Sequence, residues 1–378
     1  MEQLNFSNKE SNRFKMNIYR GNFESLNKEN IKYIKNKILT QNIDSVILRI
    51  PTEELSNITA IESMGFPYIV TDTLVYYEVD FNKYDIKVLK NKDLEFIKID
   101  DNNKSKLNLL IENIFLGYSN HYNSNPYFNK KDIVEGYKEW ATGLIDERNG
   151  KLGWLVKKDN NTVGFATCTF NKVNNISEGV LYGVESFASG GGVYSDIIRF
   201  TQKYFKKIGI TKMKVSTQIQ NYAVQKVWVR EGFTLKQSYN TIHINSLLDY
   251  SVLQKKSIEI YVTKEDINNY GKISGDMNDI HFDENYAKTI GLKGRIAHGL
   301  IPNAILSKFY GTTFPGKGTF FLSYKYNFYR PIYPDVKYKA EISFPFYNDR
   351  NKKYFSVVKI LDINKNICLI SYNDLIQK

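Results

Sequence analysis

Asp276, Asn278 and His281 fall in one short polar stretch, SGDMNDIH (274–281), and a second histidine, His298, stands directly before Gly299 in RIAHGLIPNAILS (295–307). The chain holds four histidines, so half of them are committed to this region. A carboxylate and an imidazole five positions apart on a loop can flank one water, one group drawing off a proton and the other supplying one. Gly299 falls at the start of an apolar helical stretch, where a backbone N–H and the helix dipole can hold a developing oxyanion. Ser307 follows a turn or two later, within reach of the same place. Base, acid and oxyanion donor are what hydration of a double bond conjugated to a thioester requires.

A second constellation lies upstream. The strand-like stretch EGVLYGVES (178–186) leads into Ser189-Gly190-Gly191-Gly192 and then the amphipathic VYSDIIRFTQKYFKKIG (193–209). Strand, glycine turn and helix expose backbone amides at a helix N-terminus, an arrangement that cradles a pyrophosphate. Earlier still, YSNHYNSNPYFNKKDIVEGYKEWA (118–141) sets His121 among closely spaced aromatics and an Asn-Pro turn. His121 is a candidate base toward an acceptor amine, with Glu178 and Glu185 as rivals that the sequence does not rank.

These residues carry two resemblances. Residues 150–245, with the glycine loop followed by VSTQIQNYAVQKVWVREGF (215–233), resemble the GNAT superfamily of acyl-CoA-dependent N-acyltransferases, within it the type acting on dTDP-linked amino sugars. The resemblance implies acyl-CoA along 179–186, against Val184, with its pyrophosphate on the amides of Gly190, Gly191, Gly192 and Val193 beside Tyr194. Asn221 would meet the pantetheine arm. This chain departs from the pattern in three places: Ser189 opens the loop in place of Arg or Gln, Tyr194 closes it in place of a small residue, and Trp228 stands where the family's tyrosine acid falls. An indole has no labile proton for a departing thiolate, which leaves Tyr194 or a water for that role.

The second resemblance covers residues 258–378. SGDMNDIH, the Ala-His-Gly at 297–299, Ser307, Tyr270 and FYRPIYPD (328–335) resemble the MaoC-like, (R)-specific enoyl-CoA hydratases. It implies Asp276 and His281 as the catalytic pair, Gly299 N–H as oxyanion donor, Ser307 as a supporting hydroxyl and His298 as an orienting group. Asp279 replaces the family's proline, and Pro334-Asp335 its Gly-Asp.

The elements that must position these groups are legible in outline. DSVILRIPTEELSNITAIESMGFPYIVTDTLVYYEV (44–79) and TKMKVSTQIQNYAVQKVWVREGFTLKQSYNTIHI (211–244) share one pattern: strand, turn, short helix, Gly-Phe, alternating strand. Helices are expected near 104–117 and 130–147, and a linker around 245–257. A helix followed by four alternating strands then predicts an α+β unit. The expected fold class is α/β plus α+β: a GNAT-like acyltransferase fold with a degenerate N-terminal half-repeat, then a single hot-dog domain. The expected domains are a half-domain at 1–95, the acyltransferase at 96–245 and the hydratase at 258–378.

Composition narrows the partners. Net charge is +12, but the lysines are scattered without a basic block, which argues against nucleic acid and suits small polyanions such as coenzyme A. No apolar run reaches membrane-spanning length and the polar N-terminus is unlike a signal peptide, so a cytoplasmic protein is expected. Two distant cysteines predict neither disulfide nor zinc site. Acyl-CoA is the expected cosubstrate, with no metal, a nucleotide-sugar acceptor and a homodimer or higher homo-oligomer. The expected function is hydration of a short 2-enoyl-CoA, such as crotonyl-CoA, followed by transfer of the 3-hydroxyacyl group to an amino-deoxy sugar for surface polysaccharide. The alternative is an N-acetyltransferase whose hot-dog domain only binds acyl-CoA or dimerises.

Overall fold

The computed structural model describes residues 3–54, 56–250, 253 and 255–378. Its first segment holds β1 (Asn5–Phe6), α1 (Asn8–Phe14), β2 (Ile18–Asn22), α2 (Lys28–Gln41), β3 (Ser45–Pro51), α3 (Ser56–Glu62) and β4 (Tyr68–Asp80). The next adds β5 (Glu95–Lys98), α4 (Lys104–Phe115), α5 (Lys130–Thr142), β6 (Lys151–Lys158), β7 (Asn161–Asn171) and β8 (Ile176–Val184). It closes with α6 (Val193–Lys207), β9 (Lys212–Gln218), α7 (Tyr222–Arg230) and β10 (Thr234–Asn245).

All ten strands form one sheet in the order β1-β2-β3-β10-β4-β9-β8-β7-β6-β5. The last strand of each segment is exchanged: β4 pairs with β9, and β10 with β3. Each segment also has one parallel pair, β2 with β3 and β8 with β9. The two Gly-Phe pairs fall at matching places. Gly65 and Gly232 end α3 and α7 with φ of +84° and +86°, the left-handed turn that suits glycine after a helix. Phe66 and Phe233 behind them are buried, the latter against Trp228.

The C-terminal unit runs β11 (Lys256–Tyr261), α8 (Lys264–Ser274), α9 (Asp279–Phe282), α10 (Glu284–Thr289), α11 (Ile301–Thr312), β12 (Thr319–Phe328), β13 (Lys337–Asn348), β14 (Lys353–Leu361) and β15 (Ile367–Gln377). Its sheet is antiparallel throughout, ordered β11-β13-β14-β15-β12. One face wraps α11: Leu306, Phe309 and Tyr310 pack with Ile342, Val358, Ile360 and Leu369. Tyr310 is held at Ser356 Oγ (2.8 Å) and by Asn373 Nδ2 (3.3 Å). This is the hot-dog arrangement expected, following a mixed α/β region.

The sheet's other face closes against the N-terminal region, where Val357, Ile370 and Tyr372 join a core containing Ile34 and Ile38. Residues 246–250, expected within a linker, are part of that junction. Ser246, Leu247 and Leu248 are buried, and Ser246 Oγ donates to the Ile43 carbonyl (2.6 Å). Tyr372 OH donates to the Ser246 carbonyl (3.0 Å). Positions 251, 252 and 254 of the expected linker lie outside the described residues. Each buried aliphatic side chain contributes about 1.5–3 kcal/mol, so packing and not tethering joins the two regions. Among the described residues no helix is long and apolar enough to cross a membrane.

Candidate functional sites

β8 and β9 pair only over Ile176–Gly179 and Lys212–Val215. Beyond that the strands diverge, and a cavity of about 1150 Å³ opens between Val180–Val184 and Ser216–Gln218. The glycine loop borders one end. Gly190 and Gly192 have φ of +84° and +85°, with Gly192 immediately before α6. Backbone amides 190–195 have no intrachain hydrogen bond among the described residues, so a run of donors stands at the positive end of a helix of fifteen residues.

Of the residues expected to bind the cofactor, Val184, Gly190, Gly192, Val193, Tyr194 and Asn221 line this cavity. Gly191 does not; its carbonyl accepts from Asn91 Nδ2 (3.1 Å). Asn221 Nδ2 donates to Thr217 Oγ1 (3.1 Å). A contribution missed in the sequence comes from Asp196, buried on α6, which accepts from the backbone N–H of Lys90 and of Asn91 (2.8 Å each). That anchor lays the Lys90 chain against Gly192, whose Cβ would sit 3.5 Å from Lys90 Cδ.

The candidate bases separate. His121 lines the cavity; Glu178 and Glu185 do not. Glu178 is half-buried, which raises its carboxyl above the usual range against the pull of Lys214 and Arg49. Glu185 accepts from Asn113 Nδ2 (3.0 Å). His121 itself is bonded through Nδ1 to His243 Nε2 (2.9 Å), and burial with the neighbouring His243, Arg20 and Arg49 holds its pKa well below that of a free imidazole. Tyr194 is raised by burial and stays protonated, as a donor to a thiolate must. Trp228 also lines the cavity, its Nε1 buried without a partner among the described residues.

In the C-terminal unit the expected pair does meet. α8 ends at Gly275 (φ +76°), which turns the chain so that Asp276 opens the loop before α9. His281 on α9 is buried and bonds through Nδ1 to the Ile296 carbonyl (2.8 Å). A carbonyl only accepts, so the proton sits on Nδ1 and Nε2 is a bare acceptor, 3.9 Å from Asp276 Oδ2. Burial, opposed by that hydrogen bond, keeps His281 below its ordinary pKa and therefore neutral at pH 7. His298 stacks on His281 with ring centroids 3.8 Å apart and donates from Nε2 to the Asp276 carbonyl (2.9 Å). It thus ties together the two segments that carry the pair.

Gly299 directly follows, its N–H without an intrachain partner among the described residues. A Cβ here would meet the Phe328 ring at 3.0 Å. Ser307 is exposed on α11, and its hydroxyl makes no hydrogen bond among the described residues. Asn303, a turn closer to Gly299, has a buried Oδ1 without a partner; the sequence reading passed over it. Asp276, His281 and His298 also offer three ligand atoms within 4.8 Å of one another, a set able to hold a divalent cation.

This region has relatives. Residues 249–360 match the family model described as MaoC like domain. A 3-hydroxybutyryl-CoA dehydratase of Methylorubrum extorquens is 35% identical over 71 residues, 19% of this chain and 45% of that protein. An (R)-specific enoyl-CoA hydratase of Rhodospirillum rubrum is 33% identical over 79 residues, 21% of this chain and 55% of that protein. The chain therefore spans about half the length of these curated relatives. Among solved structures, a GCN5-related N-acetyltransferase from Sphaerobacter thermophilus aligns over 64% of this chain and 75% of its own, with TM-score 0.46 and 10% identity. An (R)-hydratase from A. caviae aligns over 34% and 97%, with TM-score 0.32 and 20% identity.

Proposed function

We propose that the chain is a bifunctional enzyme that hydrates a short 2-enoyl-CoA and transfers the resulting 3-hydroxyacyl group to an amine. The observation that carries this is the gap between Asp276 Oδ2 and His281 Nε2, in a segment whose relatives are named as dehydratases and hydratases of acyl-CoA. Both atoms facing the gap accept hydrogen bonds, so each can take one O–H of a single water. As that oxygen adds to C3, the pair removes one proton and the electrons move into the thioester carbonyl, whose oxygen the Gly299 N–H holds. The proton is then returned to C2, and Asp276 and His281 regain their starting state.

The (R)-3-hydroxyacyl-CoA so formed fits the second site. Its pyrophosphate would lie on the amides at Gly190 to Val193 and its pantetheine along Val180–Val184 and Asn221. As the amine bonds to the thioester carbon and the C–S bond breaks, Tyr194 would protonate the departing thiolate and recover a proton released by the amine through water. The acceptor amine would enter from the far end of the cavity, and a dTDP-linked amino-deoxy sugar destined for surface polysaccharide is the acceptor this reading names. Coenzyme A serves as substrate in both steps, and neither step needs a metal.

The test is loss of enoyl-thioester absorbance when the protein meets crotonyl-CoA. The wild type is expected to consume it and Asp276→Asn to be slower by at least about 100-fold. An inert wild type would instead make the hot-dog unit a binding module. Mass spectrometry of a dTDP-amino sugar incubated with (R)-3-hydroxybutyryl-CoA then tests the transfer.

A further inference from the structure

The far end of the cavity is floored by one face of the ten-stranded sheet. Asn22, Arg49, Thr241 and Asp72 are direct cross-strand neighbours on β2, β3, β10 and β4. Beside that row stand Arg20, Ile47 and His243, again in register. Cross-strand partners share a face, so two guanidinium groups and a histidine rise from the same floor. Arg20, Arg49 and His121 all line the cavity. Arg20 Nη1 meets Glu10 Oε1 at 3.3 Å. Arg49 is less satisfied: its buried Nε has no partner among the described residues, and Nη1 reaches Tyr76 OH only at 3.4 Å.

The protonation of His121 follows from its neighbours. Asn125 Oδ1 accepts from the Tyr127 N–H (3.1 Å), so the Asn125 amide nitrogen is the atom facing Asn245 Oδ1 (2.9 Å) and His243 Nδ1 (3.0 Å). His243 Nδ1 therefore accepts, and its proton sits on Nε2. That proton is donated to His121 Nδ1 (2.9 Å), which leaves the His121 proton on its own Nε2. Both rings are buried, and burial beside Arg20 drives His243 down to about 3, so the relay is neutral. A neutral His121 in this tautomer has an N–H to give and no lone pair to receive a proton. The expectation of His121 as base fails on these grounds.

We infer that this end of the cavity is a subsite for an anionic oxygen group on the acceptor, a phosphate or a carboxylate, bound by Arg20, Arg49 and the Nε2–H of His121. The inference deepens the acyl-transfer reading and rests on it: residues 1–95, through Arg20, Asn22 and Arg49, build the acceptor end. Three acids lie close, and one of them, Glu139, is paired with Lys9 and Arg13. Glu10 is engaged by Arg20 and Tyr122. Asp72 ends the floor's row with both carboxyl oxygens buried, and that burial raises its pKa. The lining groups left without an ionic partner among the described residues, Arg49 and His121, are donors. His121 is then a binding residue, held in tautomer by Asn125 and His243.

Calorimetric titration of dTDP, inorganic pyrophosphate and L-aspartate into the full chain tests this and separates the two sources of charge. Binding of dTDP and pyrophosphate that is weakened by Arg49→Met identifies a phosphate here rather than at the glycine loop, and such binding of aspartate alone a carboxylate. In either case Arg49→Met and His121→Phe should weaken binding about tenfold or more, as expected for a charge-assisted hydrogen bond. His121→Gln, which keeps an N–H near the Nε2 position, should stay within about threefold of wild type. Arg20→Gln provides the same test should Arg49→Met fail to fold. The subsite is overturned if none of the three probes binds the wild type or if the variants bind as well as it does. Should His121→Gln bind as poorly as His121→Phe, with the acid limb of the transfer pH profile lost in both, His121 would return to the role of base. Acetyl-CoA titrated separately reports on the glycine loop, so its failure to bind while the anions do would remove the transfer reading and leave the subsite.

Discussion

Val357 and Val358 are consecutive in β14 and face different regions of the molecule. Val357 packs with Ile34 and Ile38 of the N-terminal core, and Val358 with Leu306 and Phe309 of α11. The alternation of a strand puts a whole sheet between those two environments. Ala297, just before His298 and Gly299, belongs to the α11 side. Asp276 and His281 therefore sit on one face of the C-terminal sheet, and the region bearing the cavity beside the glycine loop closes on the other.

This arrangement predicts that the hydrated thioester passes between the sites through solvent. An equimolar mixture of His281→Gln and Gly192→Asp chains, one lacking each activity, should regain acyl transfer from crotonyl-CoA. Unlabelled (R)-3-hydroxybutyryl-CoA added to labelled crotonyl-CoA should dilute the label in the product in proportion to the pool. Undiluted label would show a protected path and remove the prediction.

The pH dependence of hydration follows from His281. Its Nε2 must be unprotonated to accept from water, and its pKa lies below the free value of 6.5. Initial rates on crotonyl-CoA should stay level from pH 8 to about 6.5 and fall tenfold per unit only at lower pH. A limb centred above 6.5 would mean that another group governs the rate.

Stability should fall on acidification through the paired histidines. His243 titrates near 3 when folded and His121 well below 6.5, whereas both titrate near 6.5 in the unfolded chain. Below 6.5 the unfolded state binds more protons, so the full contribution is present above that pH and is lost toward 3. His243 accounts for about 1.4 kcal/mol per pH unit in that window, and His121 acts in the same direction. Asp44, raised to about 6 by burial, acts in the opposite sense. Urea unfolding at pH 7.5 and pH 5 should therefore show a shallower loss for His243→Gln than for wild type, with Asp44 common to both.

Local patterns were legible where local forces decide. The strand-like EGVLYGVES falls largely within β8, Ile176–Val184, because alternation reports which face is buried. SGDMNDIH was readable because Asp276 and His281 are fixed by one loop and two short helices. The exchange of β4 and β10 was not, since a strand's pattern states that a face is buried but not which strand will pair with it. For the same reason His121 was visible and His243, 122 positions away in sequence, was not recognised as the partner that sets its tautomer. Leu247 and Leu248 read as linker because the core they enter is built by residues hundreds of positions distant.

β12 bears on the proposed homodimer. It forms an edge of the hot-dog sheet and pairs only with β15 among the described residues. Phe320, Leu322, Tyr324 and Phe328 along it are each about half exposed. Phe328 is also the side chain against Gly299, and Leu300 beside it is exposed. An apolar edge strand of ten residues invites pairing with another strand. A second copy placed there would cover the open side of the proposed hydratase site. Light scattering should give a dimer for the wild type, and Tyr324→Arg should shift it toward monomer. Crotonyl-CoA hydration should fall about tenfold or more in that variant, since the oxyanion donor at Gly299 would then face water. A monomeric wild type with full hydratase activity would show that one chain completes the site alone.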